Sequence, residues 1–526
     1  MMFKKTLLAT LVGAAFSLPL TASAQDSNEI TLRMAYDADP VSLDIHEQLA
    51  GGMLQLSHMS FDPLVRWTQD FEFEPRLATG WEQVDDTTMR FTLREGVTFH
   101  SGNDFTAKDV VWTIERLKRS PDYKAIFEPI ASVEAIDATT IEIKTKKPYP
   151  LLLNLATYIF PMDSEFYSGT TESGKDKGAI VKNGNSYASR HMSGTGPFVV
   201  TERQQGVKIE FERFDDYWDK DSPGNVDHIV FTPISENATR VAALLSGDVG
   251  FIAPVPPNDL ERVREDENVT LETLSGTRII LFQMNEERVE AFQDPRVRKA
   301  FAYAVNQKAI AERLMKGFAT PATQLSPKGY DGHNPDLGMR YDVERAEELM
   351  AEAGYADGFN ITMMAPNNRY VNDARIAQAV AAMLARIDVT VDLKTLPKAQ
   401  YWTAFDDHAA DMMMIGWHSD TEDSANFYQY LTACPDPETG AGQYNSGMYC
   451  NLEIDKMVAA ANLETDRDKR AKMLQAVEKA LYEDAAFIPL HWQDLAWAAR
   501  DGVNIAPVIN VMNFPYLGDL VIEQDE

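Results

Sequence analysis

Apolar and polar positions change period along this chain. Ile30–Tyr36 and Thr88–Arg94 alternate in the two-residue rhythm of half-buried strands, and Glu95-Gly96 turns the second. Thr106-Ala-Lys-Asp109 reads as a capping box, with a hydroxyl at the N-cap and a carboxylate at N3. The helix it opens carries Val110, Ile114 and Leu117 on one face and stops before Pro121. Thr139–Lys144 predicts another strand. Gly194-Thr-Gly-Pro-Phe198 is a turn leading into strands near Phe198–Val200 and Val207–Arg213. Ala238–Leu245 predicts a helix that Gly247 stops.

From Arg278 onward, strand and helix periods alternate. Ile279–Met284 is apolar and extended. Asp294-Pro295 supplies an N-cap and an N1 proline for one helix carrying Val297, Phe301, Ala304, Val305 and Leu314, ended by Gly317. Helices are predicted at Asp342–Gly354 and Asp373–Ile387, and strands at Phe359–Met364, Val389–Leu393 and Ala409–Ile415. This alternation implies an α/β fold, with a largely parallel sheet covered by helices on both faces. Open sheets of this class bind ligands beyond the carboxyl ends of their strands, and Gly416–Asp420 lies at such an end. Ser168–Ser186 is polar and glycine-rich and predicts a surface loop.

The first residues change the compartment. Lys4 and Lys5 precede the mostly apolar Thr6–Leu20, and Ala22-Ser23-Ala24 is a cleavage signal, so the mature chain is expected to begin at Gln25. The apolar run is too short to span a bilayer, and no cysteine follows it to carry a lipid anchor. A periplasmic protein is expected. In that oxidising setting Cys434 and Cys450, the only 2 cysteines, are expected to form a disulfide. Their spacing suits neither zinc nor a redox C-x-x-C centre.

A chain of 526 residues implies two or three domains. The formal charge is −31, and loss of Lys4 and Lys5 makes it more negative still, which excludes a nucleic-acid partner. H-E-x-x-H, G-x-S-x-G and phosphate-loop signatures are missing, so neither enzyme, cofactor nor metal is expected. Asp215, Asp216, Asp219 and Asp221 lack the spacing of a calcium loop and read as a solvated face.

Several segments then occur in one order behind the export signal. They include Phe61–Arg66, Pro75–Trp81, Phe91–His100, Phe105–Val110, Gly194–Phe198, Arg240–Asp248, Asp294–Ala300, Ala351–Tyr355 and Ile488–Trp492. Together they resemble the family-5 extracellular solute-binding proteins, the dipeptide- and oligopeptide-binding components of ABC importers. The resemblance implies a type II two-lobe fold, with an extra subdomain and ligand enclosed between the lobes. Lobe one would comprise residues 25–60, the subdomain 61–188, then 189–278 and 492–526; lobe two would be 279–491, after a signal at 1–24. Ile279–Met284 and Ile488–Trp492 would be the crossings.

The implied function is capture of a small peptide or amino-acid-derived zwitterion, by a monomer that delivers it to a membrane permease. In the dipeptide binders an Asp in Gly-Trp-x-x-Asp pairs with the peptide ammonium, and Gly416-Trp417-His418-Ser419-Asp420 matches in register. Their carboxylate-binding arginine has its counterpart in Arg369, in a slightly shifted register before the next helix. Tyr370 and Tyr401 are candidate pocket walls. Trp417 and His418 are candidate neighbours of the ligand, and backbone groups near Gly416 are expected to bond its main chain. Other ligands the fold would admit are an opine, a glutathione-like peptide, a nickel chelate or haem. The rival of another class is a secreted hydrolase.

Overall fold

Two long strands carry the chain between the halves of one sheet. Val269–Met284 and Ile488–Arg500 run antiparallel, and their pairing has two sections. Val269 to Leu274 pair with Arg500 to Leu495, and the register resumes at Arg278 opposite Gln493. Between these sections a Cβ on Gly276 would lie 2.4 Å from the Gln493 carbonyl oxygen. Only glycine lets the backbones pass so closely there. The computed structural model describes residues 29–524, apart from 41, 50, 183, 184 and 420. The expected export signal and cleavage site, and Asp420, therefore lie outside the described residues.

Among the described residues, 11 strands form this sheet. Beyond the first crossing strand lie Met412–Trp417, Asn360–Pro366 and Thr390–Leu396 in turn. Beyond the second lie Phe251–Ala253, Thr31–Tyr36, His228–Pro233, Lys208–Arg213 and Phe198–Gln204, and the short Thr320–Pro321 pairs with the second crossing strand off this path. The sheet is mixed, not largely parallel. Asn360–Pro366 is parallel to both neighbours, but Met412–Trp417 is antiparallel to the first crossing strand. Apolar runs report burial on both faces and carry no direction. Ile280, Phe282, Met284, Met412 and Met414 face one core of this half, and Ile279, Leu281, Met413 and Ile415 face the other.

The expected single helix after Pro295 is broken. Pro295–Ala304 ends at an extended Val305, and the Asn306 side chain accepts from the Ala309 amide to start a new turn. That turn widens into a π-helix at Ile310–Leu314 before Gly317. An asparagine that can bond its own downstream backbone competes with a continuous helix.

The subdomain is a four-stranded antiparallel sheet, Ala78–Asp85, Thr88–Leu93, Thr140–Thr145 and Ile130–Ala135, packed on the helix Ala107–Leu117. The capping box forms, with the Asp109 carboxylate accepting from the Thr106 amide at 2.8 Å. Ser168–Ser186 is more than a surface loop. Arg116, fully buried on the capped helix, donates through Nε to the Gly178 carbonyl. Its two terminal nitrogens reach the Asp44 carboxylate at 2.8 and 2.6 Å, and the Ser186 hydroxyl donates to the same carboxylate.

Cys434 and Cys450 are bonded, 16 residues apart. Reduction is expected to lower stability by about 3 kcal/mol through the entropy of the unfolded chain. Urea unfolding with and without a phosphine reductant measures this. Coincident midpoints would mean that the loop's other contacts, such as Asn445 to the Ala433 carbonyl, already hold it.

Candidate functional site

Two adjoining cavities of about 590 and 460 Å³ lie beside the crossing strands and share Arg278 and His418. The larger is lined on one side by Leu54, Tyr158 and Phe514, and on the other by His418 and Glu422. Thr277, Arg278, Gln493 and Leu495 from the crossing strands join the two sides. The smaller holds Arg369, Trp402, Gly416, Trp417 and Tyr444. The cleft thus sits at the register break, where both halves of the sheet contribute a wall.

The strand Met412–Trp417 delivers the site loop. Ser419 is buried, and its hydroxyl accepts from the amides of Thr421 and Asp423 at 3.2 and 3.0 Å. Asp423 caps Ser424–Phe427 and forms a buried two-pronged ion pair with Arg470, at 2.6 and 2.8 Å. These contacts hold Ser419, Thr421 and Asp423 in place. Glu422 takes a left-handed conformation and its carboxylate accepts from the Tyr330 hydroxyl. From the subdomain, the Asn154 amide donates to the Thr421 carbonyl at 2.9 Å.

Gly416 is required by packing. A Cβ there would meet Ile280 Cδ1 at 2.5 Å and Tyr370 Cε1 at 2.6 Å. The Tyr370 hydroxyl accepts from the Gly416 amide at 2.8 Å and lies 3.3 Å from its carbonyl oxygen. The Gly416 amide therefore meets a tyrosine in this state. Burial pushes the Tyr370 phenol up, while the Gly416 amide bond and the charges of Arg369 and Arg278 pull it down. Both guanidinium groups thus act on one hydroxyl.

Arg369 is held by its backbone. Asp373, the first residue of the helix Asp373–Leu384, accepts from the Arg369 and Tyr370 amides at 2.9 and 3.0 Å. Its guanidinium carbon lies 5.0 Å from the Tyr370 ring centre. Its Nε is buried without a hydrogen-bond partner. Buried donors are almost always satisfied in folded proteins, so this one stands out.

Trp417 is a wall: its indole donates to Asn426 at 2.8 Å and its ring packs 4.6 Å from Tyr444. Tyr401 is fully buried, donates to the Met414 carbonyl at 2.6 Å and lines neither cavity, so it supports the site strand from beneath. Gly416, Trp417, His418 and Arg369 line the cleft, whereas Tyr370, expected as a pocket wall, lines neither cavity and stands behind Gly416; Asp420 lies outside the described residues. Arg278 is the cleft residue that the site motifs do not mark. Its signal is a charge opening an otherwise apolar strand, just after Gly276. Among the described residues no three metal-ligating side chains converge, and Asp219 of the acidic run pairs with Arg76 at 2.9 Å.

The family described as Bacterial extracellular solute-binding proteins, family 5 Middle, matches residues 72–438. The glutathione-binding protein GsiB of Salmonella paratyphi A is 27% identical over 437 residues, 80% of this chain and 81% of that protein. Two solved structures share the fold. HbpA2 from Haemophilus parasuis has a TM-score of 0.83 at 22% identity, covering 94% of this chain and 100% of that one. DppA from Helicobacter pylori, in complex with the peptide STSA, has a TM-score of 0.69 at 24% identity, covering 94% and 98%.

Proposed function

This chain belongs to family 5 of the bacterial extracellular solute-binding proteins, and on that premise we propose that its cleft captures a small peptide or amino-acid-derived zwitterion. The observation that carries this reading is Arg369, a cationic side chain that lines the cleft and whose buried Nε has no hydrogen-bond partner. A carboxylate suits a guanidinium better than any neutral acceptor, because it takes two parallel charged hydrogen bonds. Asp420, from the family pattern, supplies the anion for the ammonium. Trp417 and Tyr444 line the same cavity as Arg369.

No bond is made or broken. Ligand favours the closed arrangement of the lobes, and the closed form docks on an ABC permease whose ATP is spent by a separate subunit. We place the lobe division after residues 278 and 491, a choice supported by the register break at 274–278, with 61–188 as the subdomain. The leader would be cleaved before Gln25 without a lipid anchor, and the acidic mature chain would act as a monomer away from nucleic acid. Among the described residues no helix is long and apolar enough to cross a membrane. The likeness to GsiB favours a glutathione-like peptide as second reading.

Native mass spectrometry of freshly purified protein, followed by calorimetry with dipeptides and glutathione, tests the proposal. A co-purified mass that matches a peptide, and heat from one of these probes, are expected. Silence to all of them would overturn it, and turnover of the peptides would favour a hydrolase. X-ray scattering is expected to show a smaller radius of gyration with saturating ligand. An unchanged radius would mean a rigid cleft.

A further inference from the structure

The strand Met412–Trp417 loses one neighbour before it reaches the site. It pairs with Asn360–Pro366 only at Met363 opposite Met412 and Met364 opposite Met413. Beyond these pairs the two strands part. The chain after Pro366 stays with the outer strand, where the Asn367 amide donates to the Leu396 carbonyl. Two phenols close the open side of the site strand instead. Tyr401 donates to the Met414 carbonyl at 2.6 Å, and two residues on, the Tyr370 hydroxyl meets the Gly416 amide and carbonyl at 2.8 and 3.3 Å. Residues two apart on a strand turn their backbone groups to the same side, so the hydroxyls stand where ladder partners of the departed strand would be.

The two phenols differ in what they carry. Tyr401 comes from the helix Lys398–Asp406. Tyr370 comes from the turn that presents Arg369, a turn closed by the Asp373 carboxylate through both of its amides. The Tyr370 hydroxyl ties that turn to the site strand. Burial raises this phenol, so it keeps its proton at neutral pH and can accept from the amide while donating to the carbonyl. The Arg369 guanidinium carbon lies 5.0 Å from the centre of the same ring, so a ring fixed at its hydroxyl limits where the cation can go.

We propose that Tyr370 is a positioning residue for ligand capture: by clamping its hydroxyl on Gly416 it aims Arg369 at the carboxylate of the bound zwitterion. The inference rests on the reading of Arg369 as the carboxylate's partner and adds the residue that aims it. It also assigns the Gly416 amide to the scaffold of the site, not to the main chain of the ligand.

Calorimetry with dipeptides that carry a free or an amidated C-terminus tests this role. The parent is expected to bind the free acid about 30-fold or more tightly than the amide. Tyr370→Phe keeps the ring and removes only the hydroxyl. It is expected to lower that ratio about fivefold or more, since two parallel charged bonds depend on aim, while the amide binds within about twofold of the parent. Tyr401→Phe removes the other hydroxyl from the same strand and is expected to keep the parent's ratio, because Tyr401 does not carry Arg369. A loss of stability alone leaves the ratio where it is, so the ratio separates aiming from support. Tyr370→Met, which also lacks the hydroxyl, serves if Tyr370→Phe does not fold. An unchanged ratio at position 370 overturns the proposal and leaves Arg369 as the carboxylate's partner. An equal fall in Tyr401→Phe overturns it too, since support of the strand would then suffice. If the parent does not tell acid from amide, the reading of Arg369 falls and the positioning role with it.

Discussion

Asp44→Ala is expected to destabilise the protein by about 3–5 kcal/mol, because it leaves a buried guanidinium without its counter-charge. Both side chains of the Asp44–Arg116 pair are 0% exposed. Arg116 keeps its bond to the Gly178 carbonyl in the variant but loses both contacts to the carboxylate. Asp44→Leu combined with Arg116→Met is expected to recover most of the loss, since it removes both charges at once. Burial alone would push the Asp44 carboxyl up, but the charge and hydrogen bonds of Arg116 hold it below its ordinary value. The pair's contribution is therefore complete above the ordinary carboxylate range and fades as pH falls through the lowered value. Urea unfolding of parent, single and double variants, at neutral pH and in acid, measures each term. A loss below about 1 kcal/mol for Asp44→Ala would mean that water or backbone rearrangement satisfies Arg116. The pair bears on the cleft because it fastens the subdomain helix to the chain before it, and the subdomain contributes Tyr158 to the cleft wall and the Asn154 bond to the Thr421 carbonyl.

Much of this architecture is legible because its signals are local. The Thr106–Asp109 capping box, Asp342 at the head of Val343–Glu352 and Gly247 after Asn237–Ser246 each depend on a few neighbouring residues. Strand direction depends on partners far away, so Met412–Trp417 reads as a buried strand but not as one antiparallel to Val269–Met284. The 18-residue helix Arg467–Asp484 buries Arg470 and Glu478 beside Leu474, Val477 and Leu481, so charged residues interrupt its apolar face. At the site, Gly416 and Trp417 announce a turn at a strand end. What they do not announce is Tyr370 bonded to the Gly416 amide from another segment. Tyr401 shows the same limit, since a tyrosine near a site loop can equally face the cleft or, as here, lie under the strand. Arg278 becomes a site residue only once the crossing strands meet beside His418.

Asp420→Ala and Arg369→Ala are expected each to weaken dipeptide binding by about 30-fold to several thousand-fold while leaving the fold intact. Enclosing a zwitterion desolvates both of its ends, and removing the partner of either end costs roughly 2–5 kcal/mol. The two losses are distinguishable by the ligand. An N-acetylated peptide has no ammonium, so it should bind weakly to the parent and no worse to Asp420→Ala. A C-terminally amidated peptide has no carboxylate, so Arg369→Ala should not weaken it further. Asp420→Asn is expected to be milder than Asp420→Ala, since the amide oxygen still accepts a hydrogen bond. Arg369→Lys should recover only part of the loss, because an ammonium cannot offer the two parallel donors of a guanidinium. Calorimetry on the four variants, with far-UV circular dichroism as the folding control, decides the assignment. If Asp420→Ala binds within about threefold of the parent, Asp420 is a loop acid and the ammonium is held elsewhere in the cleft. If amidation weakens Arg369→Ala as much as it weakens the parent, the carboxylate is bound elsewhere, and Arg278, in the same cavity, becomes its candidate partner.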